Sequence, residues 1–443
     1  MNQLYRCVGN HGFSAVVGLN RVGYHLKYTG RSSIFQRELT CHELLSDMST
    51  SGALKILKKL HIVALLLCII FKYLPREKLS KGNELATRCE LDTRELCPGC
   101  FRQPPDYCEF FRKRISVEAG DLLDQLVCRF NRHGVRYGLL DGQHPVVIKN
   151  LNDDGQVEKL RDSVCYELGI PRRNCRLEGD PRFLGALKRK VLEESLVEGC
   201  IVCPTGDSKA LESLLLDFEE NDLLDMVLMR VHVQPLLLKM FAKFNLPVPK
   251  FIFQGGFTLV ESYDGDMLEN FYNNPLDVRL SIAYELIDAS LRLTSGVKRY
   301  RFYLTDINPD NIAVQILPSG RVKVSFIDLD NVIILDRHSK QIKYKKTAVH
   351  SRIDCDGCFA FVQEEICSHQ MSDINSYAMC QLFLEDINGN ANKGFLHTKE
   401  DRSELNRLHQ LLHHCVYCVP PDCQDRQEVL RQVQDIIRAV KSR

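Results

Sequence analysis

Two short stretches of the chain and one lysine have residue types and spacing that could do chemistry. In the stretch TDINPDN, Asp306 and Asn311 stand five residues apart around a proline. A predicted hairpin then leads to Asp328 at the end of an apolar strand, and far upstream Lys149 ends the apolar run VVI. Carboxylate and amide oxygens are suitable ligands for a hard cation such as Mg²⁺. The set therefore favours a site that binds a divalent cation.

Each of these motifs also has a purely structural interpretation. Asp and Asn commonly occupy turns between strands, and an apolar strand that ends in lysine is commonplace. The chemical interpretation is favoured because the TDINPDN loop, the apolar strand and Asp328 follow one another in a fixed order.

The predicted elements around these residues are strands first and helices later. Short strands are expected over 135–149, mainly helices over 150–246, and a strand pair over 251–260. A long amphipathic helix over 278–293 precedes the TDINPDN loop, and a hairpin over 311–327 follows it. The order predicts an α+β bilobal fold with an inserted helical segment in the small lobe.

These motifs together resemble the protein kinase family. The resemblance implies that Asp306 orients an acceptor hydroxyl and takes its proton, while Asn311 and Asp328 hold Mg²⁺ or Mn²⁺. It also implies that Lys149 contacts the α- and β-phosphates of ATP. Glu261, in the stretch LVESY after a predicted strand, would lie in the linker whose backbone meets the adenine ring.

A further motif fits the resemblance, and several residues depart from it. The stretch DINSYA from Asp373 is similar to the start of the helix that anchors the catalytic loop, with Asp373 as an acceptor of backbone N–H groups. No G-x-G-x-x-G precedes Lys149, Leu304-Thr305 replaces the His-Arg pair, and Asp330 replaces the glycine of the DFG motif. The acidic partner of Lys149 has no single assignment, and the candidates are Glu158, Glu167, Glu219, Glu220 and Gln156.

Composition excludes several classes of protein. The 443 residues are 44% hydrophobic, which is enough for one large or two medium domains and excludes a disordered tail protein. The 58 Lys and Arg nearly balance the 57 Asp and Glu. A generic nucleic-acid binder is therefore not expected, and a charged partner must be met locally.

One apolar run, residues 60–74, could meet a membrane. It is shorter than the roughly 17–25 residues that a spanning helix needs, so it is either a signal anchor or the core of a signal peptide. Lysines at positions 55, 58 and 59 favour a cytosolic N-terminus and a lumenal body. A buried helix of a soluble domain is the alternative. Met48 could be the secretory start, which would make residues 1–47 a non-native or alternative extension.

Sixteen of the 19 cysteines follow the apolar run, an even number that suits a lumenal disulfide framework. Four pairs have CxxC spacing, which zinc sites also use. Disulfides are the favoured interpretation because the apolar run predicts an oxidising compartment. The CxxC pairs are Cys97/Cys100, Cys200/Cys203, Cys355/Cys358 and Cys415/Cys418.

The kinase motifs, the N-terminal apolar run and the cysteine-rich body together resemble the secretory-pathway divergent kinase-like family, which includes the deleted-in-autism proteins and has a FAM69-type kinase domain. The resemblance implies an atypical kinase of the endoplasmic reticulum or Golgi lumen, membrane-anchored as a single-pass type II protein or secreted. It would transfer phosphate to a protein or glycan hydroxyl. A pseudokinase that acts as a signalling ligand or scaffold is the main alternative, and a zinc-binding scaffold is a third.

This interpretation divides the chain into five parts. They are a cytosolic or non-native extension (1–59), the anchor or signal core (60–74), a cysteine-rich lead-in (75–115), a small lobe with the helical insertion (116–262) and a large lobe (263–443).

Overall fold

A computed structural model describes residues 4–9, 13–20, 23–29, 113–117, 135–151, 156–174, 181–193, 199–205, 207–217, 232–255, 258–353, 358–386 and 389–442. All of them belong to one compact unit of the chain. The apolar run 60–74 and nearly all of the cysteine-rich lead-in lie outside these residues. Within the described ranges, no helix has both the length and the apolar character needed to cross a bilayer.

Seventeen strands are present in the described residues. They are β1 (Leu4–Gly9), β2 (Phe13–Asn20), β3 (Gly23–Thr29), β4 (Ile115–Val117), β5 (Val135–Leu140), β6 (His144–Asn150), β7 (Cys200–Cys203), β8 (Phe251–Gly255), β9 (Thr258–Ser262), β10 (Asp266–Met267), β11 (Tyr300–Leu304), β12 (Ile312–Ile316), β13 (Val322–Phe326), β14 (Val332–Asp336), β15 (Tyr344–Ala348), β16 (Cys358–Phe361) and β17 (His369–Ser372).

Nine α-helices accompany these strands in the same ranges. They are α1 (Gln156–Glu167), α2 (Pro181–Glu193), α3 (Ser208–Asp217), α4 (Gln234–Lys243), α5 (Leu276–Ser295), α6 (Gln363–Ser368), α7 (Ile374–Leu384), α8 (Ser403–Tyr417) and α9 (Arg426–Lys441).

The small lobe contains an antiparallel sheet with strand order β4-β5-β6-β9-β8. The predicted hairpin turn joins β5 to β6, with Asp141 and Gly142 in the left-handed region (φ 52° and 70°) that these residue types tolerate. A Cβ on Gly138 would lie 2.6 Å from the carbonyl oxygen of Ser116. Gly138 therefore serves the close approach of β4 to β5.

The region between β6 and β8 is mainly helical, as predicted, but it also contributes a strand to the large lobe. Strand β7 pairs in parallel with β14, which pairs antiparallel with β11. A disulfide joins Cys203 of β7 to Cys367 of α6. The insertion is thus attached to the large lobe by both a strand and a covalent bond.

Helices dominate the rest of the large lobe. Helix α7 is buried on nearly every side because it packs against α5, α8, α9 and β11. Two strand pairs belong to the same lobe. The pair β11–β14 ends at Leu304 opposite Val332, and the pair β12–β13 begins at Ile312 opposite Phe326. The loops 305–311 and 327–331 therefore both connect one strand pair to the other.

The first 29 residues also form strands. Strands β1, β2 and β3 extend a sheet that β16 begins, in the order β16-β1-β2-β3. Because β1 pairs with β16 of the large lobe, the two strands lie on the same side of any membrane. The expected division into a cytosolic N-terminus and a lumenal body therefore disagrees with this sheet, which the sequence did not predict.

Three disulfides are described, which confirms that cysteines of this chain form disulfide bonds. They are Cys203–Cys367, Cys380–Cys415 and Cys418–Cys423. The bonded cysteines of the CxxC pairs therefore find their partners outside those pairs. Among the described residues, no group of three or more His, Cys, Asp or Glu side chains could hold a metal ion. The pair Cys97/Cys100 lies outside these residues, as does Cys355.

Candidate active site

A buried ion pair joins two neighbouring strands of the small lobe. Lys149 Nζ on β6 lies 2.9 Å from Glu261 Oε1 on β9, and the two side chains are 14% and 1% exposed. Across these strands Val147 faces Glu261 and Lys149 faces Leu259. Lys149 and Glu261 are therefore diagonal neighbours on one face of the sheet, so the strand register itself brings them together.

The ion pair is linked to the loop that carries Asp328. Lys149 Nζ donates a hydrogen bond to the carbonyl oxygen of Ile327 at 2.6 Å. Gln234, the first residue of α4, donates from Nε2 to the same oxygen at 3.3 Å and to Glu261 Oε2 at 3.2 Å. The sheet, the helix and the loop thus meet at one point, one residue before Asp328.

Negative charge is in excess around Lys149. Burial alone would lower the pKa of Lys149, but the charges of Glu261, Asp328 and Asp330 raise it above its usual range. The pKa values of Glu261 and Asp328 are also raised, mainly by burial, and for Asp328 next by the charge of Asp330. A cation bound at Asp328 would relieve this imbalance.

The loop between β11 and β12 is held by its own amide side chains. Asn308 Nδ2 donates to Asp306 Oδ1 at 2.8 Å, and its Oδ1 accepts the backbone N–H groups of Asp310 (2.9 Å) and Asn311 (3.1 Å). Asn311 Nδ2 donates to the backbone oxygen of Asp306 at 3.2 Å. That bond leaves Oδ1 of Asn311 as the atom with which this side chain could bind a metal.

The carboxyl group of Asp306 has a raised pKa. The pKa of Asp306 is raised to about 6, mainly by burial. The hydrogen bond from Asn308 opposes this rise, and the charge of Asp328 adds to it. A carboxylate with this pKa is largely ionised at neutral pH and is a better proton acceptor than an ordinary aspartate.

Residues that depart from the kinase pattern tie this loop to the loop of Asp328. Thr305 Oγ1 donates to the carbonyl oxygen of Asn331, whose left-handed backbone (φ 66°) ends that loop. Asp330 donates its backbone N–H to Asp328 Oδ1 at 3.0 Å, and its carboxylate lies 3.5 Å from His232 Nε2. Thr305 and Asp330 therefore order the two loops.

Helix α7 supports the strand that leads into the 305–311 loop. Asn375 Oδ1 accepts the backbone N–H of Leu304 at 3.0 Å, and Asn375 Nδ2 donates to Phe302 O at 2.8 Å and to Thr294 Oγ1 at 2.9 Å. The sequence pointed to Asp373 for this support and missed Asn375, two positions further along the same DINSYA stretch.

Asp373 has a different structural role. Its Oδ1 accepts the backbone N–H of His350 at 2.7 Å, as predicted for an acceptor of backbone bonds. Its Oδ2 pairs with the buried Arg426 at 2.7 Å, and Arg426 also donates to the carbonyl oxygen of His350. Asp373 thus joins α9 to the segment that follows β15.

The structure corrects the expected position of Glu261 and identifies an acidic partner for Lys149. Glu261 was expected in the linker between the lobes, but it lies inside β9 with strands paired on both sides, so its side chain serves Lys149. Glu261 therefore holds the position for which helix residues were proposed. Glu167 instead contacts Arg189 at 3.3 Å. The side chains of Glu158, Gln156, Glu219 and Glu220 lie outside the described residues.

Comparisons with known proteins identify kinase-like relatives of this chain. Residues 227–417 match the family model described as the protein-kinase domain of FAM69. This segment contains Glu261, Asp306, Asn311 and Asp328, whereas Lys149 lies upstream of it.

Curated relatives extend the similarity beyond that segment. The chain is similar to "Divergent protein kinase domain 2A" of Xenopus tropicalis, with 28% identity over 68% of this chain and 76% of the relative. It is also similar to the mouse protein of the same description, with 27% identity over 75% of this chain and 84% of the relative. These findings confirm the predicted relationship to a divergent kinase-like family.

Among solved structures, that of vaccinia related kinase 3 aligns with 74% of this chain and 86% of its own, at 10% identity and a TM-score of 0.29. A similarity at this level adds nothing to the assignment.

Proposed function

We propose that this chain is an atypical kinase, because it is similar to divergent protein kinases and its residues 227–417 match the protein-kinase domain of FAM69. It transfers the γ-phosphate of ATP to a hydroxyl group of a protein or glycan, with Mg²⁺ or Mn²⁺. The reaction takes place in the lumen of the endoplasmic reticulum or Golgi, or after secretion.

One observation carries this proposal: Lys149 contacts both Glu261 and the residue that precedes Asp328. In protein kinases a strand lysine with an acidic partner binds the α- and β-phosphates, and an aspartate nearby holds the metal. Glu261 supplies the acidic partner from a strand instead of a helix. These contacts support a phosphate site, although the neighbours of these residues in sequence differ from the family pattern.

The side chains suit an in-line displacement. The acceptor oxygen forms a bond to the γ-phosphorus, the bond from phosphorus to the oxygen of the ADP leaving group breaks, and Asp306 takes the hydroxyl proton. Asn311 Oδ1 and the Asp328 carboxylate would hold the divalent ion, which neutralises charge on the phosphates when bound. Mg²⁺ is usually bound by one or two carboxylates together with phosphate oxygens and water, which agrees with the small protein ligand set.

The proposed compartment is supported by the disulfides. Bonds such as Cys380–Cys415 and Cys418–Cys423 persist in oxidising environments and are rare in the cytosol.

The nucleotide site can be tested by thermal unfolding of the secreted full chain with ATP and either Mg²⁺ or Mn²⁺. Ligand at 100 times its dissociation constant should stabilise the wild type by about 2.7 kcal/mol. Asp328→Asn should lose this metal-dependent shift. The matched control Asp422→Asn, at an exposed position, should keep it. Equal shifts for Asp328→Asn and the wild type would contradict the assigned metal ligand.

A pseudokinase is the second candidate, and the two glycines described in strands β5 and β6 and their turn favour it. Gly138 is explained by the approach of β4, and Gly142 lies at the tip of the hairpin. Neither is available as part of a phosphate cover. If no nucleotide shifts the unfolding temperature of the wild type, the chain serves as a ligand or scaffold instead.

A further inference from the structure

The segment that follows β14 carries an exposed cluster of positive charge. Residues 337–346 contain five Lys or Arg residues and no Asp or Glu. Four lysines of this stretch are exposed, and none of them forms an ion pair within the part of the chain that the structure describes. We call these the basic segment lysines: Lys340, Lys343, Lys345 and Lys346.

Two of these lysines lie on a strand with a free edge. Strand β15 pairs in parallel with β17 on one side, and the described residues provide no strand on its other side. Tyr344, at the start of β15, is 49% exposed and stacks against His369 of β17 at a ring distance of 4.7 Å. A free edge can accept an extended peptide through backbone hydrogen bonds.

The direction of β15 connects this edge to the active site. Ala348 at the end of β15 lies opposite Ser372, whose backbone N–H donates to the hydroxyl of Tyr303 at 2.8 Å. Tyr303 lies on β11, three residues before Asp306. Strand β15 therefore runs from the basic segment towards the strand that leads to the proposed base, over about 13 Å of chain.

The charge around β15 indicates which kind of peptide could bind at its free edge. The register of β15 against β17 shifts between Tyr344 and Thr347, so Lys345 and Lys346 lie at an irregularity of the strand, and both are exposed. Two exposed lysines at adjacent positions of this edge could contact neighbouring carboxylates of an added strand. Helix α6, which packs against β15, brings Glu364 and Glu365. Two carboxylates do not balance the five cations of the segment, so the local field still attracts anions.

We propose that a run of acidic residues in a protein substrate adds to the free edge of β15 and pairs with Lys343, Lys345 and Lys346. This deepens the proposed kinase function by naming the substrate class, although the docking step itself requires neither nucleotide nor metal. The acceptor hydroxyl would lie several residues from the acidic run, because β15 starts at the end of its sheet that is farther from Tyr303.

The test uses the full chain and a fluorescein-labelled twelve-residue peptide whose central six residues are glutamate. Fluorescence anisotropy measures its binding at low and moderate salt. The variant is Lys345→Glu/Lys346→Glu. The control, Lys209→Glu/Lys399→Glu, makes the same change of net charge at exposed positions on α3 and before α8. A second peptide with glutamine in place of glutamate tests the need for negative charge.

The wild type and the control variant should bind the glutamate peptide, and Lys345→Glu/Lys346→Glu should bind it about tenfold more weakly, with a smaller difference at high salt. Equal binding by both variants would overturn the proposal and leave the lysines as protection of an exposed edge. Binding of heparin but not of the peptide would also overturn it, in favour of a glycan partner.

The nucleotide shift measured on the same samples keeps the two proposals separate. Peptide binding without an ATP shift would retain the docking surface and reject the kinase. An ATP shift without peptide binding would do the reverse.

Discussion

Replacing Lys149 and replacing Glu261, the two residues of the buried ion pair, should lower the free energy of unfolding by different amounts. Lys149→Met leaves Glu261, which is 1% exposed, next to Asp328 with no cation beside it. Loss of one partner of a buried pair typically costs about 3–5 kcal/mol. Glu261→Gln leaves Lys149 with the carbonyl oxygen of Ile327 and the charge of Asp328, so we expect a smaller cost of about 1–3 kcal/mol.

The double variant Lys149→Met/Glu261→Gln removes both charges. Its cost should fall short of the sum of the single costs by about 1–3 kcal/mol, because each single variant includes the penalty of leaving the other charge buried. The exposed pair Arg431–Glu428, at 3.4 Å and more than half exposed on both sides, provides the control. Arg431→Met and Glu428→Gln should each cost less than about 1 kcal/mol.

Urea unfolding under non-reducing conditions measures these differences. Far-UV circular dichroism is the suitable probe because the chain has no tryptophan. If Glu261→Gln costs as much as Lys149→Met, or if the two costs add within about 0.5 kcal/mol, the pair does not act as described.

The pH dependence of the free energy of unfolding tests independently whether Lys149→Met leaves buried carboxylates without a cation. Burial raises the pKa values of Glu261 and Asp328 above those of the unfolded chain, and loss of Lys149 raises them further. A carboxyl group with a raised folded pKa favours the folded state at low pH, and this contribution is lost as the pH rises through that pKa. Lys149→Met should therefore be less destabilised relative to the wild type at pH 5 than at pH 8.

Further predictions concern the loops and their support. The rate of phosphate transfer should fall as the pH drops through about 6, because Asp306 becomes protonated. Asp306→Asn should abolish transfer, while the ATP-dependent shift of the unfolding temperature remains. A flat rate between pH 5 and 8 would exclude Asp306 as the base. Asn375→Leu leaves the N–H of Leu304 unpaired and should lower the free energy of unfolding by about 1–3 kcal/mol in urea; an unchanged midpoint would contradict this role. Cys380→Ser/Cys415→Ser opens a loop of 35 residues and should cost about 3–4 kcal/mol, a difference that should vanish when both proteins are unfolded in reductant.

The sequence predicted most of what depends on local pattern. The hairpin at Asp141-Gly142, the helix α5 and the strands on either side of the 305–311 loop follow from turn residues and apolar periodicity. The candidate site residues followed from the resemblance to kinases. Asp306 and Asn311 are brought together by short contacts within their own loop, so spacing alone was informative.

Features that depend on long-range register were not predicted. The role of Glu261 is set by its pairing opposite Val147, more than one hundred residues away, and a strand position gives no sign of it in the sequence. Strand β7 is four residues long in a helical region, and only its pairing with β14 makes it a strand. Cysteine partners are equally hidden, since Cys203 and Cys367 are 164 residues apart.

The departures from the kinase pattern do not by themselves argue for loss of activity. Thr305 and Asp330 replace family residues, yet each forms a contact that orders a loop of the site. The acidic partner of Lys149 is supplied by an adjacent strand, so the ion pair does not depend on the position of a mobile helix. The strand register keeps the two side chains adjacent, so no helix movement is needed to form the pair. We therefore expect any regulation to act on access of substrate or metal, and the basic segment beside β15 is the part of the described structure where an acidic partner could exert it.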